Sequence, residues 1–270
     1  NRKQSYEIAR IIKKHDMFWM AGGVRCVSTS YEDLKFYKEH NMLAIRYGFE
    51  NGSQQMLDVM EKKYTKEDIY NAISNCKKVG ISTVPVGLLF GMPGETEETI
   101  KESAAFTASL WYLMGYSWNT FYNPTWVIAI PGTPLYEYCQ QIGVIGKTLD
   151  EEEDYLIRVA EQLEGGSGYS AGSGMNFLTY INLTDSSIKE VHYWKYLYPF
   201  AQKKAYVGLI IKNNQSIKNR LLQIYEQCIK AAFTDLICNF NRRKNFYKNK
   251  QLLHKMRWLT LIFINFFRIL

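Results

Sequence analysis

The hydrophobic positions of the first 130 residues follow two kinds of spacing that alternate along the chain. In some segments apolar residues recur every three or four positions, which is typical of a helix with one buried face. Between these segments lie short, uninterrupted apolar runs of strand length. The pattern predicts helices at 1–15, 31–40, 56–60, 66–79 and 97–113, and strands at 17–22, 43–49, 84–90 and 116–130.

Strands that alternate with helices of ten or more residues are typical of a parallel sheet with helical crossovers. The carboxyl ends of parallel strands meet at one edge, and ligands bind at that edge in such folds. We therefore expect Arg25, Glu50 and residues 91–95 to share one rim. The periodicity does not distinguish an open sheet from a closed barrel.

Particular residues mark the helix boundaries. Ser30 and Thr65 are each followed three positions later by an aspartate, which predicts capping boxes at the start of two helices. Gly80 predicts the end of the second of these helices. The first helix has no evident cap, so we expect the chain to begin inside a domain and to be a piece of a longer protein.

The segment 84–96 reads Val-Pro-Val-Gly-Leu-Leu-Phe-Gly-Met-Pro-Gly-Glu-Thr and joins a buried strand to a helix. Gly91 and Gly94 permit positive φ and allow a ligand to approach the backbone, while Pro93 stiffens the turn. An ordinary structural turn has the same signature. The motif alone therefore leaves both interpretations open.

The formal net charge of +7 is unevenly distributed. Residues 188–270 carry 16 Lys and Arg against three Asp and Glu, whereas residues 1–187 carry 17 basic and 23 acidic residues. We therefore expect two modules with different surfaces. The five cysteines lack Cys-x-x-Cys spacing, which argues against a disulfide framework or a self-contained zinc site and favours reduced thiols in the cytoplasm.

Four motifs in series resemble the second half of a radical S-adenosylmethionine (SAM) catalytic domain. They are Gly-Phe-Glu-Asn-Gly-Ser at 48–53, Thr-Lys-Glu-Asp at 65–68, Gly-Met-Pro-Gly-Glu-Thr at 91–96 and Pro-Gly-Thr-Pro-Leu-Tyr at 131–136. The most similar class carries an upstream cobalamin-binding domain and includes anaerobic methyltransferases and magnesium-protoporphyrin ester cyclases. The resemblance extends over residues 1–146.

The resemblance implies an α/β fold: a partial (β/α)6 TIM-like barrel, represented here by its third to sixth strands, followed by a mostly helical C-terminal region. It also implies S-adenosylmethionine and a [4Fe–4S] cluster as cofactors, and leaves open whether cobalamin takes part through an upstream domain. The Cys-x-x-x-Cys-x-x-Cys loop that holds the cluster in this superfamily is absent from the sequence. We therefore expect the cluster ligands to lie outside this chain, no metal site within it, and no catalysis by the chain alone.

The resemblance places Glu50 at the ribose or ammonium group of S-adenosylmethionine, and the backbone of Gly91, Pro93 and Gly94 at its adenine. An acid favoured at a helix start is the alternative for Glu50. Glu95 stands one position later than the glutamate of the superfamily pattern, so we interpret Glu95 as a helix cap.

Three further positions carry weaker signals. Arg25 is similar to a rim arginine that neutralises the cofactor carboxylate, and a surface salt bridge is the alternative. Ser53 either bonds the ribose or caps the next helix. Residues 131–134 either line the substrate cavity or form a plain turn.

Beyond residue 146 the resemblance weakens. We divide the chain into a barrel part at 1–146, a linker at 147–187 with a flexible Gly/Ser-rich connection, and a basic helical region at 188–270. Residues 242–270 join basic residues to an aromatic, apolar tail that is too short to span a bilayer. This favours peripheral contact with an anionic membrane surface or a lipid-like substrate, and docking on another domain is the alternative.

These observations favour an oxidoreductase or methyltransferase of the radical SAM superfamily, located in the cytoplasm or at the membrane surface. The resemblance implies a small-molecule or lipid-like substrate and an electron donor such as flavodoxin or ferredoxin. A truncated or degenerate non-catalytic nucleotide-binding or interaction module is the alternative. Nucleic-acid binding through the basic C-terminal region is the weakest interpretation, since no recognition motif accompanies it.

Overall fold

The computed structural model describes residues 1–83, 89–116, 125–164 and 181–213. The chain divides into two compact units, one formed by Asn1–Tyr116 with Thr120–Tyr206 and the other by Ser117–Asn119 with Val207–Leu270. The candidate site lies in the first unit.

Helices and strands alternate along the described residues. In chain order they are α1 Arg2–Lys14, β1 Trp19–Val24, α2 Tyr31–Glu39, β2 Met42–Tyr47, α3 Gln54–Val59, α4 Lys66–Val79, β3 Leu89–Phe90, α5 Glu97–Met114, β4 Thr125–Trp126, α6 Pro134–Gln141, α7 Leu149–Glu164 and α8 Ile188–Asn213. A short 3-10 helix at Cys26–Ser28 follows β1.

The predicted capping residues begin and end the helices as expected. Ser30 and Thr65 form complete capping boxes at the starts of α2 and α4, and Gly80 ends α4 in the left-handed conformation at φ 78°. The prediction that the first helix lacks a cap is wrong. The side chain of Asn1 accepts a hydrogen bond from the Lys3 N–H, because an asparagine amide oxygen can reach the second amide of the helix as a serine would.

The strands are parallel, as the alternating pattern predicts. β1 pairs with β2, and β3 pairs with β4. A parallel bridge between Ala44 and Ser82 joins β2 to the start of the segment that leads into β3. The protein therefore has an α/β fold with parallel strands. Its closure into a partial barrel stays a prediction, since residues 84–88 and 117–124 of the third and fourth predicted strands lie outside the described residues.

β1 begins two residues later than predicted. The chain is still leaving α1 at Met17, whose N–H donates to the Ile12 carbonyl at 3.1 Å, and Asp16 has a φ of 52°. Trp19 is the first residue that pairs with β2. Local turn geometry after the helix therefore overrides the apolar run.

Three clusters of buried side chains hold the first unit together. The first lies between the β1–β2 pair and helices α2 and α4, and includes Leu34, Ile45 and Ile73. The second packs α5 and α8 around Phe90, and the third includes Val127 and Tyr155. Each fully buried aliphatic or aromatic side chain contributes about 1.5–3 kcal/mol. The second cluster supports the strand end that carries the turn at 91–95.

The structure describes only some of the residues C-terminal to 146. α7 contains an acidic run at 150–154. The Gly/Ser-rich connection at 165–174 and the basic tail at 242–270 lie outside the described residues. The three-part domain division stays a prediction. Among the helices described, none is both long and apolar enough to cross a membrane.

Candidate functional site

Loops from three neighbouring strands meet at the carboxyl end of the sheet. The Gly48 N–H donates to the Val24 carbonyl at 3.1 Å, and the Leu89 N–H donates to the Glu50 carbonyl at 2.9 Å. The first bond joins the end of β1 to the residue after β2, and the second joins the turn after β2 to the start of β3. We call the resulting edge the rim and define it as Arg25, residues 48–53 and residues 91–95.

Glu50 is held in an unusual backbone conformation. Its φ is 56°, in the left-handed region that residues other than glycine and asparagine rarely adopt. Its carboxylate pairs with the ammonium of Lys62, and 29% of the Glu50 side chain and 26% of the Lys62 side chain are exposed. A Cβ on Gly48 would lie 2.8 Å from Glu50 Oε1, so glycine at 48 leaves room for this carboxylate. A strained residue with a partly exposed charge is a candidate functional position.

Arg25 lies on the same edge and contacts the loop that carries Lys62. Its Nη2 donates to the Lys62 carbonyl at 2.7 Å, and its guanidinium carbon stands 5.8 Å from the centre of the Tyr64 ring. The Tyr64 hydroxyl in turn donates to the Gly48 carbonyl at 3.0 Å. One carboxylate and two cations therefore share this part of the rim.

Lys62 is a residue whose role the sequence analysis missed. It stands 12 residues after Glu50, beyond α3, and only the fold brings its ammonium to the Glu50 carboxylate. No local spacing rule relates two residues at that separation. The single sequence signal was a basic residue in the loop between α3 and α4.

Asn51 is fully buried and anchors the turn after β2. Its Oδ1 accepts from the Ser53 N–H at 2.9 Å and from the Ser103 hydroxyl on α5. Its Nδ2 makes a long hydrogen bond of 3.5 Å to Glu95 Oε1. The Ser103 hydroxyl also accepts from the Gly52 N–H at 3.2 Å. The turn after β2 is thus fastened both to α5 and to the turn after β3.

Glu95 is buried inside the turn that follows β3. Its Oε2 accepts from the Gly91 N–H at 2.8 Å, and 2% of the residue is exposed. Burial raises the pKa of the Glu95 carboxyl to about 8, although the hydrogen bonds from Gly91 and Asn51 oppose this shift. The interpretation of Glu95 as a helix cap is wrong, because Thr96 is the N-cap of α5 and forms a capping box with Thr99.

Ser53 faces the helices on the outside of the sheet. It is fully buried, and its Oγ donates to Glu102 Oε2 at 2.6 Å. Glu102 also pairs with Lys66. Ser53 is the N-cap residue of α3, as the capping alternative predicts, but its side chain makes no capping hydrogen bond to the helix. Its bond to the ribose stays a prediction, and the hydroxyl proton is already used within the protein.

The turn at Gly91, Pro93 and Gly94 has the backbone geometry that the glycines predict. Gly91 has a φ of 101° and Gly94 a φ of 74°. Gly91 has no free polar backbone atom, since its N–H bonds Glu95 and its carbonyl accepts from the Leu183 N–H at 2.9 Å. The Gly94 carbonyl accepts from Gln55 Nε2 at 3.3 Å. The contact of this turn with adenine stays a prediction.

The turn at 131–134 is accounted for by helix capping. Thr133 is the N-cap of α6, Pro134 occupies its first position, and Gly132 has a φ of 80°. The Thr133 hydroxyl donates to the Ile130 carbonyl at 2.7 Å. The plain-turn alternative is therefore sufficient for this segment, and its role in a substrate cavity stays a prediction.

The cysteines that the structure describes do not form a cluster site. Cys26, Cys76 and Cys139 are buried, and burial raises the pKa of each thiol, for Cys26 and Cys76 to about 11. A thiol must lose its proton to bind iron. Within the described ranges no three His, Cys, Asp or Glu side chains come together as a metal site. These residues do not fit a [4Fe–4S] cluster.

The residues of the rim do fit one part of S-adenosylmethionine. Its methionine end carries an ammonium and a carboxylate. The partly exposed Glu50 carboxylate pairs with the Lys62 ammonium, and the Arg25 guanidinium donates to the carbonyl of Lys62. Carboxylates accept from ammonium and hydroxyl groups, and basic side chains donate to carboxylates. The carboxylate of Glu50 and the two basic side chains are thus complementary in charge to the ammonium and carboxylate of an amino acid zwitterion.

The Radical SAM superfamily profile matches residues 2–107. An uncharacterized methyltransferase of Pyrococcus horikoshii is 27% identical over 140 residues, which is 51% of this chain and 28% of that protein. The anaerobic magnesium-protoporphyrin IX monomethyl ester cyclase of Cereibacter sphaeroides is 29% identical over 148 residues, 51% of this chain and 22% of that protein. A tRNA-2-methylthio-N(6)-dimethylallyladenosine synthase of Ehrlichia chaffeensis is 31% identical over 97 residues, 34% of this chain and 20% of that protein.

The matches therefore span between a fifth and three tenths of the length of these relatives. The profile covers α1 to the middle of α5 and includes the rim described above. The predicted superfamily is confirmed: residues 2–107 of this chain belong to the radical SAM superfamily.

Proposed function

We propose that this chain contributes the S-adenosylmethionine-binding rim of a radical SAM oxidoreductase or methyltransferase. The observation that carries the proposal is the Glu50 carboxylate, which lies half exposed beside Lys62 at the end of β2. Hydrogen abstraction by an adenosyl radical is the chemistry that the cofactor supplies in this superfamily when bound. The residues of this chain bind and orient it.

Glu50 and Lys62 satisfy each other's charge in the structure. A zwitterionic ligand offers the same two charges in reverse, so an ammonium or ribose hydroxyl can take the carboxylate while a ligand carboxylate takes Lys62 or Arg25. Each such hydrogen bond to a charged group is worth about 1.5–3 kcal/mol. Because the ion pair between Glu50 and Lys62 must first separate, the net gain in binding free energy is smaller than the sum over the new hydrogen bonds.

The iron–sulfur cluster is proposed to be held by residues outside this chain. The 270 residues contain no Cys-x-x-x-Cys-x-x-Cys string, and the described cysteines are buried, which raises the pKa of their thiols. We derive no reaction step through the cluster. A cobalamin role rests on the resemblance alone.

The names of the relatives suggest two candidate types of reaction. One protein that matches half of the chain is named as a methyltransferase, and another is named as an ester cyclase. We therefore retain methyl transfer and oxidation as the two candidate activities, with a small-molecule or lipid-like substrate and a flavodoxin or ferredoxin as electron donor. A non-catalytic nucleotide-binding module is the second candidate function, and the absent three-cysteine string favours it.

Equilibrium binding of S-adenosylmethionine to the full chain, measured by titration calorimetry, tests the proposal. We expect Glu50→Gln and Glu50→Ala to weaken binding, the alanine variant by on the order of ten- to a hundredfold. Glu97→Gln is the matched control, since it also breaks a Glu–Lys pair, with Lys101, but on the exposed side of α5. No binding by the unaltered chain, or an equal effect of Glu97→Gln, would contradict the proposal.

A further inference from the structure

A series of buried polar side chains connects α8 and α5 to the rim. The Tyr198 hydroxyl donates to Thr107 Oγ1 at 3.0 Å, and Thr107 Oγ1 donates to the Ser103 carbonyl at 2.8 Å. Ser103 is fully buried, and no more than 4% of Tyr198 or Thr107 is exposed. Buried polar groups of this kind hold one another in fixed positions when every donor has an acceptor.

Ser103 is the member of the series that contacts the rim. Its hydroxyl donates to Asn51 Oδ1 and accepts from the Gly52 N–H at 3.2 Å. One hydroxyl therefore fixes both the side chain of Asn51 and the backbone of Gly52, which follow Glu50 directly in the chain.

The turn after β2 rests on the backbone of α5 at this point. A Cβ on Gly52 would lie 2.9 Å from the Cα of Ser103 and 3.0 Å from its carbonyl oxygen. Those distances are shorter than ordinary van der Waals contact, so the glycine allows the close approach. The turn consequently has little freedom to move relative to α5.

Glu50 needs such a restraint. A left-handed conformation is unfavourable for a residue with a Cβ, and it persists only when the surroundings enforce it. The Leu89 N–H holds the Glu50 carbonyl from one side at 2.9 Å. The Ser103 bonds hold the two following residues from the other.

We propose that Ser103 is a positioning residue of the rim, whose hydroxyl holds the turn at 50–52 in the strained conformation that presents the Glu50 carboxylate. The proposal rests on the proposed function for the identity of the ligand, but the restraint itself does not depend on a ligand. Ser103 lies on α5, outside every motif that the sequence analysis singled out.

Amide hydrogen exchange at Leu89 tests the restraint. The Leu89 N–H bonds the Glu50 carbonyl and not Ser103, so its exchange rate reports whether Glu50 keeps its conformation. The Gly52 amide is not informative, because Ser103→Ala removes its acceptor directly. We expect Ser103→Ala to speed exchange at Leu89 by on the order of tenfold beyond the change that global unfolding accounts for.

Ser109→Ala is the matched control. Ser109 lies on the same helix and its hydroxyl donates to the Phe106 carbonyl at 2.6 Å, within α5. It should leave the ratio of Leu89 exchange to global unfolding unchanged. Equal effects of the two serine substitutions would overturn the proposal.

A second experiment repeats the Ser103→Ala substitution in a variant whose residue 50 is not strained. Glycine adopts the left-handed conformation without cost, so Ser103→Ala should speed Leu89 exchange less than threefold in a Glu50→Gly background. The same tenfold effect in both backgrounds would show that Ser103 only stabilises the core. Neither arm contains cofactor, so a failure of S-adenosylmethionine binding would contradict the proposed function without deciding this inference.

Discussion

Asn51 and Glu95 come from different strand ends and meet in the interior, where Asn51 Nδ2 lies 3.5 Å from Glu95 Oε1. The carboxyl of Glu95 also accepts from the Gly91 N–H at 2.8 Å. This pair joins the turn after β2 to the turn after β3. The protonation state of Glu95 should therefore affect both turns at once.

We expect the stability of the protein to fall as pH rises between about 4.5 and about 8, as far as Glu95 contributes. Burial raises the pKa of Glu95 to about 8 in the folded protein. The folded protein therefore binds a proton in this window that the unfolded chain has released, and stability decreases with pH wherever the folded state binds more protons. Thermal melting from pH 5 to pH 9 measures the trend.

Glu95→Gln isolates the contribution of this group. The amide has the shape of the protonated acid and does not ionise, so the variant should gain melting temperature relative to the unaltered chain as pH rises. Glu97→Gln at the exposed pair with Lys101 is the control and should show no such gain. If the two glutamine variants follow the same pH profile, the buried carboxyl of Glu95 is not the group responsible.

The sequence predicts those features that depend on neighbouring residues. Ser30, Thr65 and Gly80 mark helix ends because a cap acts within four positions. The order of strands and helices then brings Arg25, Glu50 and Gly91 to one edge, because the carboxyl ends of parallel strands joined by crossovers lie at the same edge.

The remaining features depend on contacts between distant residues. Asn51 and Ser103 are separated by 52 positions, and Glu50 and Lys62 by 12. The position of Glu95 next to a helix start predicts a cap, and its buried position contradicts that prediction. Its burial depends on the packing of two turns that local rules do not describe.

Reconstitution of the full chain with iron and sulfide under anaerobic conditions should give no stoichiometric [4Fe–4S] cluster. The chain lacks the three-cysteine string, and burial keeps the described thiols protonated. Iron content and cluster absorbance are measured after gel filtration. A triple Cys26→Ser, Cys76→Ser and Cys139→Ser variant is the control for adventitious iron. Stoichiometric cluster in the unaltered chain would contradict the proposal that the ligands lie elsewhere.

The basic segment at 242–270 should bind anionic vesicles, since it contains eight Lys and Arg and no Asp or Glu. Each basic residue near an anionic surface contributes about 1 kcal/mol, and salt screens the attraction. Flotation with phosphatidylserine vesicles at low and high salt measures the binding. Arg242→Glu with Arg243→Glu should weaken it, whereas Lys3→Glu with Lys14→Glu on α1 should not. Equal recovery with neutral vesicles would remove the electrostatic part of this prediction.

Glu50 allows stability and ligand binding to be separated by two substitutions at one position. Both Glu50→Ala and Glu50→Gly remove the carboxylate that pairs with Lys62. Alanine keeps the cost of the left-handed conformation, whereas glycine relieves it. We therefore expect the glycine variant to be more stable than the alanine variant by about 1 kcal/mol, measured by urea denaturation.

Binding of S-adenosylmethionine should not follow this order of stability. Neither variant has a carboxylate, so both should bind the ligand on the order of ten- to a hundredfold more weakly than the unaltered chain. Asn41, with a φ of 65°, is the control position: Asn41→Gly changes a left-handed residue between α2 and β2 without touching the rim. If Glu50→Gly retains full affinity for S-adenosylmethionine, the carboxylate is not needed for binding, and the left-handed conformation at residue 50 is required only by the geometry of the turn. If it loses affinity while gaining stability over Glu50→Ala, the strained conformation is maintained because it places a charge where the ligand needs it.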